Sequence, residues 1–292
     1  MQRLKKIFLS VFTLFMLVSC MNQKPVEQKN YNNIENTINL ENNLNGKSIL
    51  FCGDSITEAI CERYNSETSA KAGWPGRIGI NNNMHYVNAG VSGATISLEN
   101  IWNPPSSQLE GRNIIYNQLR RNSSEHFDLV IMHGGVNDAW ANAPVGQITA
   151  LDNFNPDTFN IRTYAGGLEY TFWTAKQLHE SSKFGFIINF RMPSKDVGRT
   201  SDMTEYFDQA KKICEKWEIP YLDLYSNDEL SQRLKVDTLF ALGDYCHPNN
   251  RGYDILYPYI EQFVIAVDNG VDPRLLKDPV YTPIEFNTTI LP

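Results

Sequence analysis

The sequence predicts an α/β fold in which a parallel β-sheet is covered by helices on both faces. From Lys47 onward, short apolar runs alternate with longer amphipathic stretches, five such runs occur, and turn-forming residues bound each of them. Short runs rich in β-branched and aromatic residues are typical of buried strands. Their alternation with helices favours parallel pairing through helical crossovers.

The predicted elements follow this alternation in order along the chain. Each strand is a short apolar run, and together they span residues 48–52, 84–88, 128–133, 184–190 and 219–223. The predicted helices span residues 113–122, 163–182, 201–218 and 249–268. The last helix has the clearest period, because Ile255, Tyr259, Phe263 and Val267 recur every four residues and keep one face apolar.

This architecture predicts where a ligand binds. Open α/β sheets bind ligands outside the carboxyl ends of their strands, so the residues that follow the strands are the candidates. The stretch 139–161 contains Asn, Pro, Trp140 and Phe154, and we expect it to be an excursion over that edge and not a second domain.

The N-terminal residues predict export. Residues 1–6 contain three basic side chains, and residues 7–18 form an almost unbroken apolar run that ends at Ser19 and Cys20. The run is too short for a retained transmembrane helix, and it resembles a lipoprotein signal more than an ordinary secretory signal. We expect a signal peptide at 1–19, lipidation of Cys20 and a polar tether at 20–45. The protein is then an exported bacterial lipoprotein, membrane-anchored and periplasmic or cell-surface.

Composition excludes other classes of partner. The 292 residues include 33 acidic and 26 basic side chains, a formal charge of -7, so neither nucleic acid nor an anionic membrane surface is an expected partner. The membrane is contacted only through the lipid anchor. The cysteines that follow Cys20 lack the spacing of a metal site, and free buried thiols are favoured over disulfides. These are Cys52, Cys61, Cys214 and Cys246.

Two turns after the first two strands contain candidate catalytic residues. Ser55 follows the first strand in Gly-Asp-Ser, where it is either a nucleophile or the N-cap of the next helix. Gly90 follows the second strand in a glycine-containing turn, which either presents a backbone N–H to an anion or is only a tight turn.

Two later turns complete the set. Asn137 follows the third strand after two glycines, and its side-chain amide is a neutral donor suited to an oxyanion. Asp244 and His247 precede the last helix, where the carboxylate can accept from the imidazole Nδ1–H while Nε2 acts as a base. The combination is more informative than any one of the four turns.

The four blocks resemble those of the SGNH or GDSL hydrolase superfamily, from Lys47 to about Asp268. The resemblance implies a flavodoxin-like three-layer α/β/α sandwich with a five-stranded parallel sheet at residues 46–268. Residues 269–292 contain four prolines, and we expect them to form an extended tail. It implies Ser55 as nucleophile, His247 as base and Asp244 as its orienting group. The oxyanion hole would comprise the N–H groups of Ser55 and Gly90 and the Asn137 amide.

Other chemistries have weaker support. The sequence lacks G-x-S-x-G, H-E-x-x-H and the phosphate-loop motif, and we expect neither a cofactor nor a metal. Asp54 and Asp138 are expected to stabilise turns. The other histidines are interpreted as structural, except His133, whose position at the strand edge leaves its role open. They are His85, His126 and His179.

An acylated small molecule or glycan is the expected substrate, and removal of O-acetyl groups from carbohydrate is the favoured reaction. Aromatic side chains can stack on sugar rings and an arginine can bind a carboxylate or hydroxyl, although tryptophans are as often core residues. The candidates for this role are Trp74, Trp102, Trp140, Arg191 and Tyr245. A lipase or arylesterase, an acyltransferase with the same residues, and an inactive surface glycan-binding lipoprotein are the alternatives.

Overall fold

The computed structural model describes residues 40–60, 73–98, 113–192, 202–236, 239–240 and 245–276. The signal peptide and most of the tether and C-terminal tail lie outside them, as do Cys20, Cys61, Trp102 and Asp244. Within these ranges, no helix is both long enough and apolar enough to cross a bilayer.

In the described part of the chain, five parallel strands form one sheet in the order β2-β1-β3-β4-β5. The strands are β1 (Ser48–Cys52), β2 (His85–Asn88), β3 (Leu129–His133), β4 (Lys183–Ile188) and β5 (Tyr221–Asp223). In the register, Leu50 lies between Val87 of β2 and Val130 of β3. The predicted parallel sheet is confirmed, and β5 starts later than predicted because Pro220 cannot donate to the ladder.

Helices cover both faces of the sheet. They are α1 (Ser55–Glu58), α2 (Gly73–Asn81), α3 (Ile115–Arg121), α4 (Val136–Trp140), α5 (Tyr164–Leu178), α6 (Thr204–Trp217), α7 (Asp228–Arg233) and α8 (Asn250–Asn269). On one face α2 packs against α8, and on the other α5 packs between α3 and α6. The predicted apolar face of α8 is confirmed, with Tyr259, Phe263 and Val267 buried. The sandwich therefore has three layers.

Helix α2 was not predicted from the sequence. It contains glycines and a proline, which are poor helix formers. Pro75 lies in the first turn, where proline is tolerated. Gly79 lies against the ring of Tyr86, and a Cβ there would be 2.1 Å from the ring Cδ1. Close packing against β2 therefore explains both the helix and its composition.

We expected the stretch 139–161 to lie over the carboxyl ends of the strands, but this is not where most of it lies. Its middle lies along α5 and α6: Thr149 Oγ1 donates to Glu169 of α5 at 2.9 Å, and the ring of Phe154 lies edge-on to Trp217 of α6 at 4.9 Å. A 3-10 turn at Pro156–Thr158 precedes α5. A buried ion pair between Glu169 of α5 and Lys216 of α6 binds this stretch, because Lys216 also donates to Thr149 Oγ1 and Asn153 O.

The start of the packed domain and the state of its cysteines can also be compared with the predictions. Leu44, near the end of the predicted tether, is fully buried in the core, so packing begins slightly before residue 46. Cys52, Cys214 and Cys246 are buried free thiols, as expected. Burial raises the pKa of the Cys52 thiol far above its usual range.

Candidate active site

Ser55 is the first residue of α1, immediately beyond the carboxyl end of β1. The N-cap is its neighbour Asp54, whose Oδ1 accepts from the N–H of Ile56 at 2.9 Å. The alternative interpretation of Ser55 as the helix cap is therefore wrong, and the expected turn-stabilising role of Asp54 is confirmed. The Ser55 hydroxyl is left for a different partner.

That partner is His247. Its Nε2 lies 2.8 Å from Ser55 Oγ, although the two residues are 192 positions apart in the chain. Ser55 is 8% exposed and His247 is half-buried, so the pair is accessible only in part. Helix α8 fixes the relation between the two segments, because its N-cap Asn249 lies two residues after His247 and Tyr253 Oη donates to Ile56 O of α1 at 2.7 Å.

The turn that precedes Ser55 is held by a glutamine that the sequence did not indicate. Gln118 of α3 is buried, and its amide accepts from the Gly53 N–H at 2.7 Å and donates to Gly53 O at 2.8 Å. Gly53 must be a glycine, since a Cβ there would be 2.1 Å from Thr57 Oγ1. The Gln118 side chain thus continues the hydrogen bonding of β1 as far as Gly53, two residues before Ser55.

The Gly90 turn lies against α1, the helix that begins with Ser55. Val91 N donates to Gly53 O at 3.0 Å and Ser92 N donates to Glu58 Oε2 at 2.6 Å. A Cβ on Gly90 would be 2.6 Å from Glu58 N, so only glycine allows this approach. The structure therefore brings the second sequence block against α1.

Asn137 is buried at the start of α4, beyond the carboxyl end of β3. Its Nδ2 donates to Ala94 O at 2.9 Å. An amide nitrogen has two hydrogens, so one bond of this kind leaves a second donor. Gly135, with φ of +113°, provides the left-handed turn that starts α4.

Asp138 fastens the loop that follows Gly90. It is fully buried, and its two oxygens accept from Ile96 N at 2.9 Å and Ser97 N at 2.8 Å. Desolvation raises the pKa of Asp138 to about 6, although these hydrogen bonds favour the ionised form. The residue stabilises a turn, as expected, but that turn is 41 to 42 residues away along the chain and is not its own.

His133 lies behind α1 and not at the open edge. Its Nδ1 is 3.0 Å from Thr57 Oγ1 and 3.6 Å from Asp54 Oδ1, while Nε2 is 3.1 Å from Asn189 Oδ1. Because that amide oxygen can only accept, Nε2 must carry a hydrogen. The ring of Trp74 lies edge-on to this imidazole at 6.2 Å. His133 therefore joins the ends of β3 and β4 to α1.

The remaining histidines are distant from this cluster. His85 pairs with Glu125 at 2.7 Å on the surface, and the buried His179 lies 3.3 Å from Leu119 O, where burial lowers the pKa of its imidazole. His126 is 4.0 Å from Asp128. Across the described ranges, no three His, Cys, Asp or Glu side chains are grouped so as to hold a metal ion.

The predicted substrate-binding residues that the structure describes have different surroundings. Arg191 forms an ion pair with Asp228 at 3.1 Å, and Tyr245, with φ of +54°, packs near Phe240 at 6.0 Å. Trp140 is half-buried against the core. Trp74 is 1% exposed, so it is a core residue and does not line a sugar site.

Solved structures from other organisms share this fold at low sequence identity. A protein from Lactobacillus plantarum has a TM-score of 0.53 at 18% identity, over 75% of this chain and 97% of its own. One from Bacteroides ovatus, described as a GDSL-like lipase, has 0.52 at 19% identity, over 75% and 98%. One from Chitinophaga pinensis, described as a possible lipase, has 0.53 at 18% identity, over 77% and 99%.

The family follows from a match to a family model. No curated protein matches the sequence. The family model described as "GDSL-like Lipase/Acylhydrolase family" matches residues 51–255, which is well over half of the chain and includes Ser55, Gly90, Asn137 and His247. The chain belongs to the GDSL-like lipase/acylhydrolase family, and it is a hydrolase of the esterase type.

Proposed function

We propose that the protein is a serine carboxylester hydrolase that works through an acyl-enzyme, with Ser55 as nucleophile and His247 as general base. The observation that carries this proposal is the 2.8 Å contact between Ser55 Oγ and His247 Nε2. A hydroxyl becomes an effective nucleophile when a base at this distance can remove its proton. Since Asp54 caps α1, the hydroxyl is not engaged by its own helix.

The acylation step is a proton transfer coupled to addition. Ser55 Oγ attacks the ester carbonyl carbon while its proton passes to His247 Nε2, and the carbonyl electron pair moves to oxygen. The tetrahedral intermediate then breaks its bond to the alcohol oxygen, and His247 returns the proton to the departing alcohol. Water repeats the two steps on the acyl-enzyme and releases the acid.

The negative oxygen of the intermediate is stabilised by neutral donors. We assign this role to the N–H groups of Ser55 and Gly90 and to the second amide hydrogen of Asn137. The packing of the Gly90 turn on α1 supports the first pair, and the position of Asn137 at the end of the neighbouring strand supports the third. Fixed donors of this kind act without reorganising during the reaction.

Asp244 completes the proposal on the sequence alone. It lies three residues before His247, and its carboxylate would accept from Nδ1–H and stabilise the imidazolium. The residue is outside the described ranges, so its role rests on the Asp-x-x-His spacing.

The substrate we propose is an O-acetylated carbohydrate met outside the cytoplasm. The signal-like N-terminus with Cys20 supports an exported, lipid-anchored enzyme, and the acidic balance of the chain does not favour binding to an anionic membrane surface. Trp140, Arg191 and Tyr245 remain candidates for binding the sugar. Of these, Tyr245 is nearest in sequence to His247.

The test is a pair of serine substitutions in the mature chain. Ser55→Ala should abolish ester hydrolysis and fluorophosphonate labelling while the circular dichroism spectrum stays unchanged. Ser182→Ala is the matched control. Its buried hydroxyl donates to Phe127 O, and Ser182 lies just before β4, at the opposite edge of the sheet from Ser55. Normal turnover in Ser55→Ala would overturn the proposal.

A substrate panel tests the proposed specificity separately. Acetate release from acetylated oligosaccharides is compared with hydrolysis of p-nitrophenyl esters of increasing acyl length. We expect acetyl esters to be preferred. A preference for long acyl chains would contradict the carbohydrate assignment while leaving the serine mechanism intact.

A further inference from the structure

Asn88, at the carboxyl end of β2, connects the two segments that the proposed mechanism uses. Its Nδ2 donates to Thr57 O of α1 at 2.8 Å, and its Oδ1 accepts from the N–H of Gly90 at 3.1 Å. One side chain therefore bonds both to the helix that begins with Ser55 and to a proposed oxyanion donor. None of the roles assigned above uses this residue.

The direction of the Gly90 N–H follows from strand pairing. The flanking groups Ala89 N and Val91 N donate to Phe51 O and Gly53 O at 2.8 and 3.0 Å, so this segment continues to pair with β1. Successive backbone groups of an extended strand point in opposite directions. The Gly90 N–H therefore points away from β1, and there the Asn88 oxygen meets it.

The contact between Gly90 and α1 leaves little freedom. A Cβ on Gly90 would be 2.6 Å from Glu58 N and 3.0 Å from both the Thr57 carbonyl carbon and Asn88 Oδ1. The glycine is thus pressed against the helix backbone and the amide together. A change in the Asn88 side chain must alter where the Gly90 N–H lies relative to Ser55.

We propose that Asn88 is a positioning residue for ester hydrolysis, which holds the Gly90 N–H in register with Ser55 and shares that N–H with the oxyanion. The inference rests on the proposed function. In the resting enzyme the N–H donates to a neutral amide oxygen. A developing negative oxygen is a stronger acceptor, so the hydrogen bond transfers to it as the charge forms.

This role requires the side chain to be neutral. A carboxylate at position 88 would compete with the oxyanion for the Gly90 N–H, repel its charge, and be unable to donate to Thr57 O. Asn88→Asp should therefore lower kcat by about 10²-fold, the scale of losing one oxyanion donor, with KM changed by less than about threefold. Asn88→Ala leaves the donor free but unplaced, and the expected fall in kcat is roughly tenfold.

The experiment measures kcat and KM with p-nitrophenyl acetate, with active sites counted by the end-point of fluorophosphonate labelling. Asn82→Asp and Asn82→Ala are the matched controls. Asn82 is buried, whereas Asn88 is half-buried, and the Asn82 side-chain amide likewise donates hydrogen bonds, to Ile78 O and Glu261. It lies before β2, at the opposite edge of the sheet. These controls should lower thermal stability and leave kcat per active site unchanged.

The possible outcomes separate the inference from the function. If Ser55→Ala retains activity, the mechanism and the inference both fail. Suppose instead that Ser55→Ala is inactive. The inference alone then fails if the kcat of Asn88→Asp stays within about threefold of wild type, or if it falls no further than the kcat of Asn82→Asp. Should Asn88→Asp not fold, Asn88→Ser decides, because its shorter side chain cannot span Thr57 O and Gly90 N, and an unchanged kcat would overturn the inference.

Discussion

Two buried sets of charged side chains in this molecule are satisfied to very different degrees. Between α5 and α6, Lys216 Nζ contacts Glu169 Oε1 at 2.5 Å and donates to Thr149 Oγ1 and Asn153 O, both at 2.7 Å. Behind Ser55, Asp54 Oδ1 accepts one N–H, its Oδ2 has no hydrogen-bond partner among the described residues, and the nearest histidine nitrogen is 3.6 Å away.

The difference in hydrogen bonding distinguishes a cluster that stabilises the fold from one that lies beside the proposed nucleophile. The Lys216 cluster ties the stretch 139–161 to two helices, and all three ammonium hydrogens have an acceptor there. A buried carboxylate oxygen without a partner is costly, and native proteins keep few of them. The set behind Ser55 therefore looks poorly optimised for stability, as is common where the requirements of a reacting group compete with those of packing.

The largest expected effect comes from breaking the satisfied set. Lys216→Met leaves the Glu169 carboxylate buried and unpaired, and we expect a loss of about 3–5 kcal/mol in the free energy of unfolding. Kcat per folded molecule should not change. Lys211→Met on the same helix is the control, since its partly exposed pairs with Asp208 and Asp223 should contribute about 0–1 kcal/mol. Equal losses in urea unfolding would contradict the comparison.

A pH dependence of intermediate size is expected from Asp138. Its folded-state pKa of about 6 lies above the ordinary 3.8, so the folded chain binds a proton more tightly than the unfolded chain. The stabilisation is present below pH ~4 and is lost as the pH rises through ~6, a change of about 3 kcal/mol at most.

Asp138→Asn removes that dependence. Urea unfolding of both proteins from pH 4 to 8 measures it, and wild type should lose stability relative to the variant as the pH rises. The two hydrogen bonds to Ile96 and Ser97 add an offset that does not vary with pH. A constant difference across the range would show that the carboxyl titrates normally.

The smallest effect is expected at Asp54. Asparagine caps helices as well as aspartate does, and the substitution removes a buried charge that has no ammonium or guanidinium partner within the described part of the chain. Asp54→Asn should change the free energy of unfolding by less than about 1 kcal/mol. The isosteric Glu169→Gln variant should lose several times more, since there the ammonium of Lys216 is left unpaired. If Asp54→Asn is the more damaging of the two, the contrast between the regions fails.

Most of the fold could be predicted because hydrophobic periodicity decides it. The strands around Leu50 and Ile131 and the apolar face of α8 are visible as patterns in the sequence. Helix α2 was missed because Gly79 is there for its fit against Tyr86, which no local propensity records. The path of residues 139–161 was misjudged because Lys216 lies far from it in sequence, and a single lysine gives no sign that it is buried.

The candidate site was predicted only where a motif marks it. Ser55, Gly90, Asn137 and His247 stand in recognisable blocks, and the Ser55–His247 contact agrees with the chemistry read from them. The residues that hold these blocks in place, Gln118 and Asn88, each form two hydrogen bonds, and each side chain reaches a segment distant in sequence. An isolated Gln or Asn in a helix or strand has no pattern that distinguishes it from a solvent-exposed one.

On the proposed mechanism, the 192-residue separation between Ser55 and His247 means that ester cleavage requires a folded domain. Closing so long a loop is entropically unfavourable until the intervening sheet has formed, and contacts of this kind are among the slowest to appear in folding. A nascent polypeptide that has not yet docked α8 onto α1 through Tyr253 has a serine but no base. On the proposed mechanism, hydrolysis therefore begins only when the domain has folded from β1 to α8.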